Sequence, residues 1–320
     1  MKIISMCVAA IAVFFIFSTP ASSAPAAAKK SPYPTNTCGA ENVGMPFRIV
    51  GFKNYPPFSW SEMDEQYYKD TGYKRYMYQG FVLDPLKQAL NDIHVVRIQD
   101  IAFDDFNDAL KAMLHGKADL LFTGYYVDES KSGLDYIYPA YFGNPFIVLS
   151  RKSKKIDVED VSELKGMKGV VRREEEVASL IRGLLPTDTK LEVVDGPEAA
   201  FRMLLSGNAD FMITSPYAAD AEAKRFKIKD KLHFGSKVVR HIKYFMAFSK
   251  MSICRPYKDI FSQKFNERFK NKAEIEKLIH KYIDIWVELH ADEPPLEYTP
   301  AADDQPAPAA AAQQPMAHAG

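Results

Sequence analysis

Two stretches of the chain read alike: ALKAMLHGKADLLFTGYY over 109–126 and AFRMLLSGNADFMITSPY over 200–217. Aligned without a gap, Gly116 meets Gly207, Asp119 meets Asp210, Thr123 meets Thr214 and Tyr126 meets Tyr217. Each copy opens with apolar residues at helical spacing, Leu110, Met113 and Leu114 in one and Phe201, Leu204 and Leu205 in the other. Each helix should stop at its glycine, which enters the left-handed conformation of a C-cap without strain. The apolar runs that follow, Leu120 to Phe122 with Ala118 and Phe211 to Ile213 with Ala209, suit short strands buried on both faces. Because Gly, Ala, Asp, Thr and Tyr all coincide, a repeated helix–strand unit is a better account than chance.

A second kind of unit also occurs twice. The strand Phe47 to Phe52 leads into the Pro-interrupted loop Tyr55 to Trp60, and the strand Met167 to Val171 leads into a polar loop and a helix around Val177 to Leu185. Strands alternating with helices predict α/β architecture with mostly parallel sheets, in which ligands bind beyond the carboxyl ends of the strands. If each half builds its own sheet, two sets of strand-end loops face one cleft: 55–60 and 123–131 from one side, 172–175 and 214–217 from the other.

The ends of the chain differ from this body. Lys2, the apolar run Ile3 to Phe17 and the A-x-A site Ala24–Ala26 predict a secretory signal peptide over 1–26, with Ala21 to Ala24 a competing cleavage site. Cys7 lies in the apolar run without a lipobox before it. The run is shorter than the roughly 20 apolar residues of a membrane span, so the mature protein is expected to be exported and periplasmic. Residues 27–44 form an N-terminal extension, and the Pro- and Ala-rich stretch 291–320 is expected to be a disordered tail.

Composition narrows the function classes. The 320 residues carry 41 Lys+Arg against 41 Asp+Glu, a balance that gives no global attraction to nucleic acid or an anionic membrane. The seven histidines show no metal-ligand spacing, and there is no G-x-S-x-G, phosphate loop or C-x-x-C. No catalytic residue, metal or cofactor is therefore expected. Once Cys7 leaves with the signal, Cys38 and Cys254 remain, either as a disulfide or as two buried thiols.

The chain resembles the family 3 periplasmic solute-binding proteins, the polar amino-acid binders of ABC importers, which have the type II periplasmic binding fold. The residues that carry the resemblance are FRIVGFKNYPPFSW (47–60), GFVLDPLKQAL (80–90), HGKADLLFTGYYVDESK (115–131), SELKGMKGVV (162–171) and SGNADFMITSPY (206–217). It covers about 45–288. The resemblance implies two lobes, each a mostly parallel sheet flanked by helices, joined by two crossing strands near Tyr138 to Asn144 and Tyr244 to Lys250. Lobe 1 would be 45–141 with 248–290 and lobe 2 would be 142–247, which puts Cys38 and Cys254 in one lobe and favours their disulfide. It further implies a monomer that binds a small polar ligand and partners an ABC permease. A sensing protein without transport, or a dehydratase-like enzyme, are alternatives on the same fold.

Carried over residue by residue, the ligand set is Tyr55, Phe58, Trp60, Tyr125, Tyr126, Asp128 and Lys131 from lobe 1, with Arg172, Glu175 and Ser215 from lobe 2. Three anchors depart from the family's pattern. Asp128 and Lys131 stand where a Thr and a carboxylate-gripping Arg are common, and Lys lacks the bidentate fork. The charge run Arg172 to Glu176 replaces a small-residue turn, and Ser215 replaces an acidic residue. The bland alternatives are an exposed Asp128–Lys131 pair, a solvated charge run, and aromatics that belong to the core. Asp84, Asp119 and Asp210 read as structural.

Overall fold

The structure, a computed structural model, describes residues 38–40, 45–126, 133–173 and 181–304. The apolar segments FRIV (β1, Phe47–Val50), IQD (β5, Ile98–Asp100) and LLFTGY (β6, Leu120–Tyr125) pair in parallel in the order β5-β1-β6. In the second half β9 (Lys168–Arg172), β10 (Lys190–Val194) and β11 (Phe211–Thr214) pair in parallel in the order β10-β9-β11.

Two long antiparallel strands join these groups. Strand β8 (Phe142–Arg151) lies along β12 (Leu232–Ser249), with Leu232 opposite Arg151 and Tyr244 opposite Phe142. At Tyr244, β12 changes partner to β6, opposite Tyr125, and beyond it pairs with β7 (Leu134–Tyr136). Among the described residues the result is one nine-stranded mixed sheet running through both halves.

The internal echo recurs in the hydrogen bonds. Asp119 accepts the Arg48 backbone N–H at 2.8 Å, and Asp210 accepts that of Lys168 at 2.9 Å. In each half the Asp backbone N–H also returns a bond to the same residue, at 2.9 Å to Arg48 and 2.7 Å to Lys168. Helices α3 (Phe106–Leu114) and α4 (Gly196–Leu205) end before Gly116 and Gly207, at φ 64° and 77°, as the spacing predicted. The structural reading of these aspartates agrees with their contacts: Arg48 forks onto Asp119, Lys154 pairs with Asp210, and the Tyr282 hydroxyl donates to Asp84 at 2.8 Å.

The loop expected over Tyr55 to Trp60 is tighter than its prolines suggested. Phe58 N–H donates to the Tyr55 carbonyl at 2.9 Å, closing a hairpin between β2 (Asn54–Tyr55) and β3 (Ser59–Met63). Strand β4 (Tyr76–Gln79) completes a small three-stranded sheet, with α1 (Glu65–Thr71) between β3 and β4. Helix α2 (Leu83–Asp92) buries Leu83, Leu86, Ala89 and Leu90, and α6 (Lys258–Arg268) packs beside it. Cys38 and Cys254, 216 residues apart, form a disulfide with a Cα separation of 5.5 Å, inside the usual span.

The C-terminal part touches both halves. Helix α7 (Lys272–Leu289) packs against α5 (Pro216–Arg225) of the second half while Tyr282 and Trp286 meet Trp60 of the first, at ring-centroid distances of 5.9 and 5.3 Å. Residues 291–304, expected within a disordered tail, are packed. Leu296 is 8% exposed among Phe201, Phe226 and Leu232, and its N–H donates to the Phe226 carbonyl at 3.1 Å. Glu293 pairs with Arg225 at 2.8 Å, and Asp303 and Asp304 pair with the buried Arg151 at 3.2 and 3.3 Å. A Pro/Ala-rich composition averaged over thirty residues concealed one apolar anchor and three carboxylates with arginine partners; 305–320 lie outside the described residues.

Candidate interlobe binding site

The strand-end segments meet at an aromatic cluster. Tyr55 stacks on Phe58 at 5.0 Å, Phe58 and Tyr125 each meet Tyr244 edge-on at 5.3 Å, and Phe52 lies 5.5 Å from Tyr125. Asn144, on β8, is buried at the centre. Its amide donates to the Tyr244 hydroxyl at 2.9 Å and the Tyr55 hydroxyl at 3.3 Å, and its carbonyl accepts the Ser215 hydroxyl at 2.7 Å. Because the Ser215 hydroxyl is used there, α5 begins without a side-chain cap from it. A buried polar chain with each member bonded strengthens the packing it sits in.

Arg172 makes the other link between the halves. It is 1% exposed at the end of β9, its Nη2 donates to the Asn54 carbonyl at 3.3 Å, and its guanidinium lies 5.7 Å from the centre of the Tyr55 ring. Behind it Glu222 of α5 is also 1% exposed and pairs with Arg225 at 3.3 Å. Burial raises the Glu222 carboxyl above its ordinary range, and the nearby Arg172 and Arg225 guanidinium groups oppose that shift.

Beside this cluster opens a cavity of about 700 Å³. The first half contributes Phe52, Asn54, Trp60 and Glu62, and the second contributes Arg173, Asp195 and Arg225, with Trp286 and His290 from the C-terminal helix region. Most lining charges are matched: Lys53 with Asp104, Arg173 with Asp195, and Arg225 with Glu222 and Glu293. The Glu62 carboxylate instead accepts the Trp60 indole N–H at 3.0 Å and the Gln79 amide at 3.3 Å.

No protein-family profile matches the chain, and no curated protein sequence does. Solved structures do match. The amino acid ABC transporter substrate-binding protein AbpA from Streptococcus pneumoniae, bound to L-arginine, is 18% identical with a TM-score of 0.58, over 76% of this chain and 96% of that one. The fold is that of the family 3 solute-binding proteins. The ancestral amino acid-binding protein AncCDT-1, a precursor of cyclohexadienyl dehydratase, matches at 22% identity and a TM-score of 0.55, over 74% of this chain and 95% of that one. The GluR0 ligand-binding core in complex with L-glutamate matches at 14% identity and a TM-score of 0.58, over 76% and 99% of the two chains.

On this solute-binding fold the expected ligand residues fall into separate places. Tyr55, Phe58, Tyr125, Arg172 and Ser215 come together, but as a packed cluster rather than as the wall of the cavity. Trp60 does line the cavity. Tyr126 stands apart, 54% exposed beside Tyr136 and Phe245, because successive residues at the end of β6 point to opposite sides. Asp128, Lys131 and Glu175 lie outside the described residues.

Sequence reasoning missed Asn144, Glu62, Glu222 and Trp286. Trp286 carried a signal, the helical spacing of Ile275, Ile279, Tyr282, Ile283 and Trp286, which marks one buried face. Among the described residues, the one group of three metal-type ligands within reach of one another is Cys38, Asp119 and Cys254, and both sulfurs are used in the disulfide.

Proposed function

We propose that the chain binds a small polar solute between its two lobes and closes on it about the crossing segments 138–144 and 244–250, for delivery to an ABC importer. The observation that carries this reading is the cavity of about 700 Å³ walled by both halves, a size within the common range for small-molecule sites. A solute touching both walls favours the closed state by its differential contacts. The setting is a monomer in the periplasm, exported through the 1–26 signal, with lobe 1 at 45–141 and 248–290 and lobe 2 at 142–247. No helix among the described residues is long and apolar enough to cross a membrane, in keeping with that setting.

A second reading, presentation of the closed form to a sensor, draws support from the Arg172–Asn54 and Ser215–Asn144–Tyr55 links, through which the chain's own side chains tie the halves together. Both readings are binding rather than turnover. Mass spectrometry of the small molecule retained by the natively purified protein, followed by titration calorimetry and solution scattering, tests them. Saturable binding with compaction is expected; a protein that retains nothing and never compacts, or one that turns over prephenate-like acids, overturns the proposal.

A further inference from the structure

We infer that the solute is an organic cation, an amine or quaternary ammonium, received by the Glu62 carboxylate within the aromatic wall of the interlobe cavity; this rests on the solute-binding reading above. Among the described lining residues, Lys53, Arg173 and Arg225 each already face a carboxylate. Of the lining carboxylates, Asp104 and Asp195 are matched in those pairs, Asp105 caps α3 through the Asn107 N–H, and Glu62 has no cationic partner among the described residues. Trp60 and Gln79 are neutral donors, so they fix the Glu62 carboxylate in place and leave its charge to be met.

The surrounding rings suit the same chemistry. Trp60 and Trp286 meet at 5.3 Å, and Phe52 and Phe106 lie 4.8 Å apart, giving the cavity several electron-rich faces beside one carboxylate. Such faces attract a desolvated cation through the ring quadrupole. The Arg225 guanidinium, 5.3 Å from the centre of the Trp286 ring, already uses that attraction in this wall. An anion would meet Glu62 and Asp105 with every described lining Lys and Arg already paired. A zwitterionic α-amino acid would satisfy Glu62 with its ammonium and leave its own carboxylate to compete for a cation already paired.

The chain's two tryptophans, Trp60 and Trp286, both stand in this wall. Intrinsic fluorescence therefore reports on the cavity directly. Titration with choline chloride and with putrescine should each give a saturable change, with sodium glutamate and glucose weaker by tenfold or more. Glu62→Gln should weaken the two cations by roughly tenfold, the loss expected of one charged hydrogen-bond partner, and Glu62→Asp should keep part of the affinity. Unchanged melting temperatures show that both variants fold. The inference falls if neither cation saturates, or if Glu62→Gln binds them as wild type does. Glutamate binding more tightly than either cation, with compaction, also overturns it while leaving the solute-binding reading intact.

Discussion

Arg172 at the end of β9 donates to the backbone carbonyl of Asn54 in the opposite half, 3.3 Å away, and holds its guanidinium over the neighbouring Tyr55 ring. A charged side chain of the second half thus reaches the backbone of the first. Arg172→Ala removes that contact and leaves Glu222 with one fewer cation nearby. The variant should lose about 1–3 kcal/mol of stability, and its radius of gyration by solution scattering should exceed that of wild type. An equal radius would show that Arg172 does not hold the lobes together.

The Cys38–Cys254 bond closes most of the chain into one loop. The double variant Cys38→Ser with Cys254→Ser should unfold about 2–4 kcal/mol more easily, chiefly because the unfolded chain regains freedom. Denaturant titration measures it. Two alkylatable thiols in unreduced, denatured protein of the mature form would contradict the pairing.

Glu222 sets a pH dependence. Burial places its folded carboxyl above the ordinary value of 4.5, so the folded state binds more protons than the unfolded one in that interval. Stability from this group is therefore greatest below 4.5 and falls as pH rises from there through the raised value. Glu222→Gln removes the group, and the wild-type-minus-variant difference in unfolding free energy should decline as pH rises above 4.5. A difference that grows over the same interval would reverse the sign.

Leu296 anchors the segment after α7. Leu296→Ala should destabilise by about 2 kcal/mol or more, the usual cost of emptying a buried leucine site, and should speed proteolysis between 290 and 304. A variant as stable and as resistant as wild type would restore the expectation of a loose tail from 291 onward.

The repeated helix–strand unit made the α/β architecture legible, because Gly116, Gly207 and the matching Asp119 and Asp210 report local geometry that any copy of the unit must satisfy. The site was less legible. Tyr55, Arg172 and Ser215 were recognisable as strand-end residues, but whether a ring lines a cavity or fills it depends on packing from distant elements. Asn144 was legible only as the end of an expected crossing strand, because its three buried partners are 71 to 100 residues away in sequence. Trp286 lines the same cavity as Glu62 because α7 packs on α5 on one side and meets Trp60 on the other. Helical periodicity says which face is buried, not against what.

The central claim is a solute site built from both halves. Hydrogen–deuterium exchange, comparing protein stripped of its retained solute with protein to which that solute is returned, tests it most directly. Protection is predicted to rise together in 51–62 and 103–107 of the first half and in 192–195 and 222–226 of the second, with 284–290 following. Protection confined to one half, or confined to surfaces away from these segments, would contradict it.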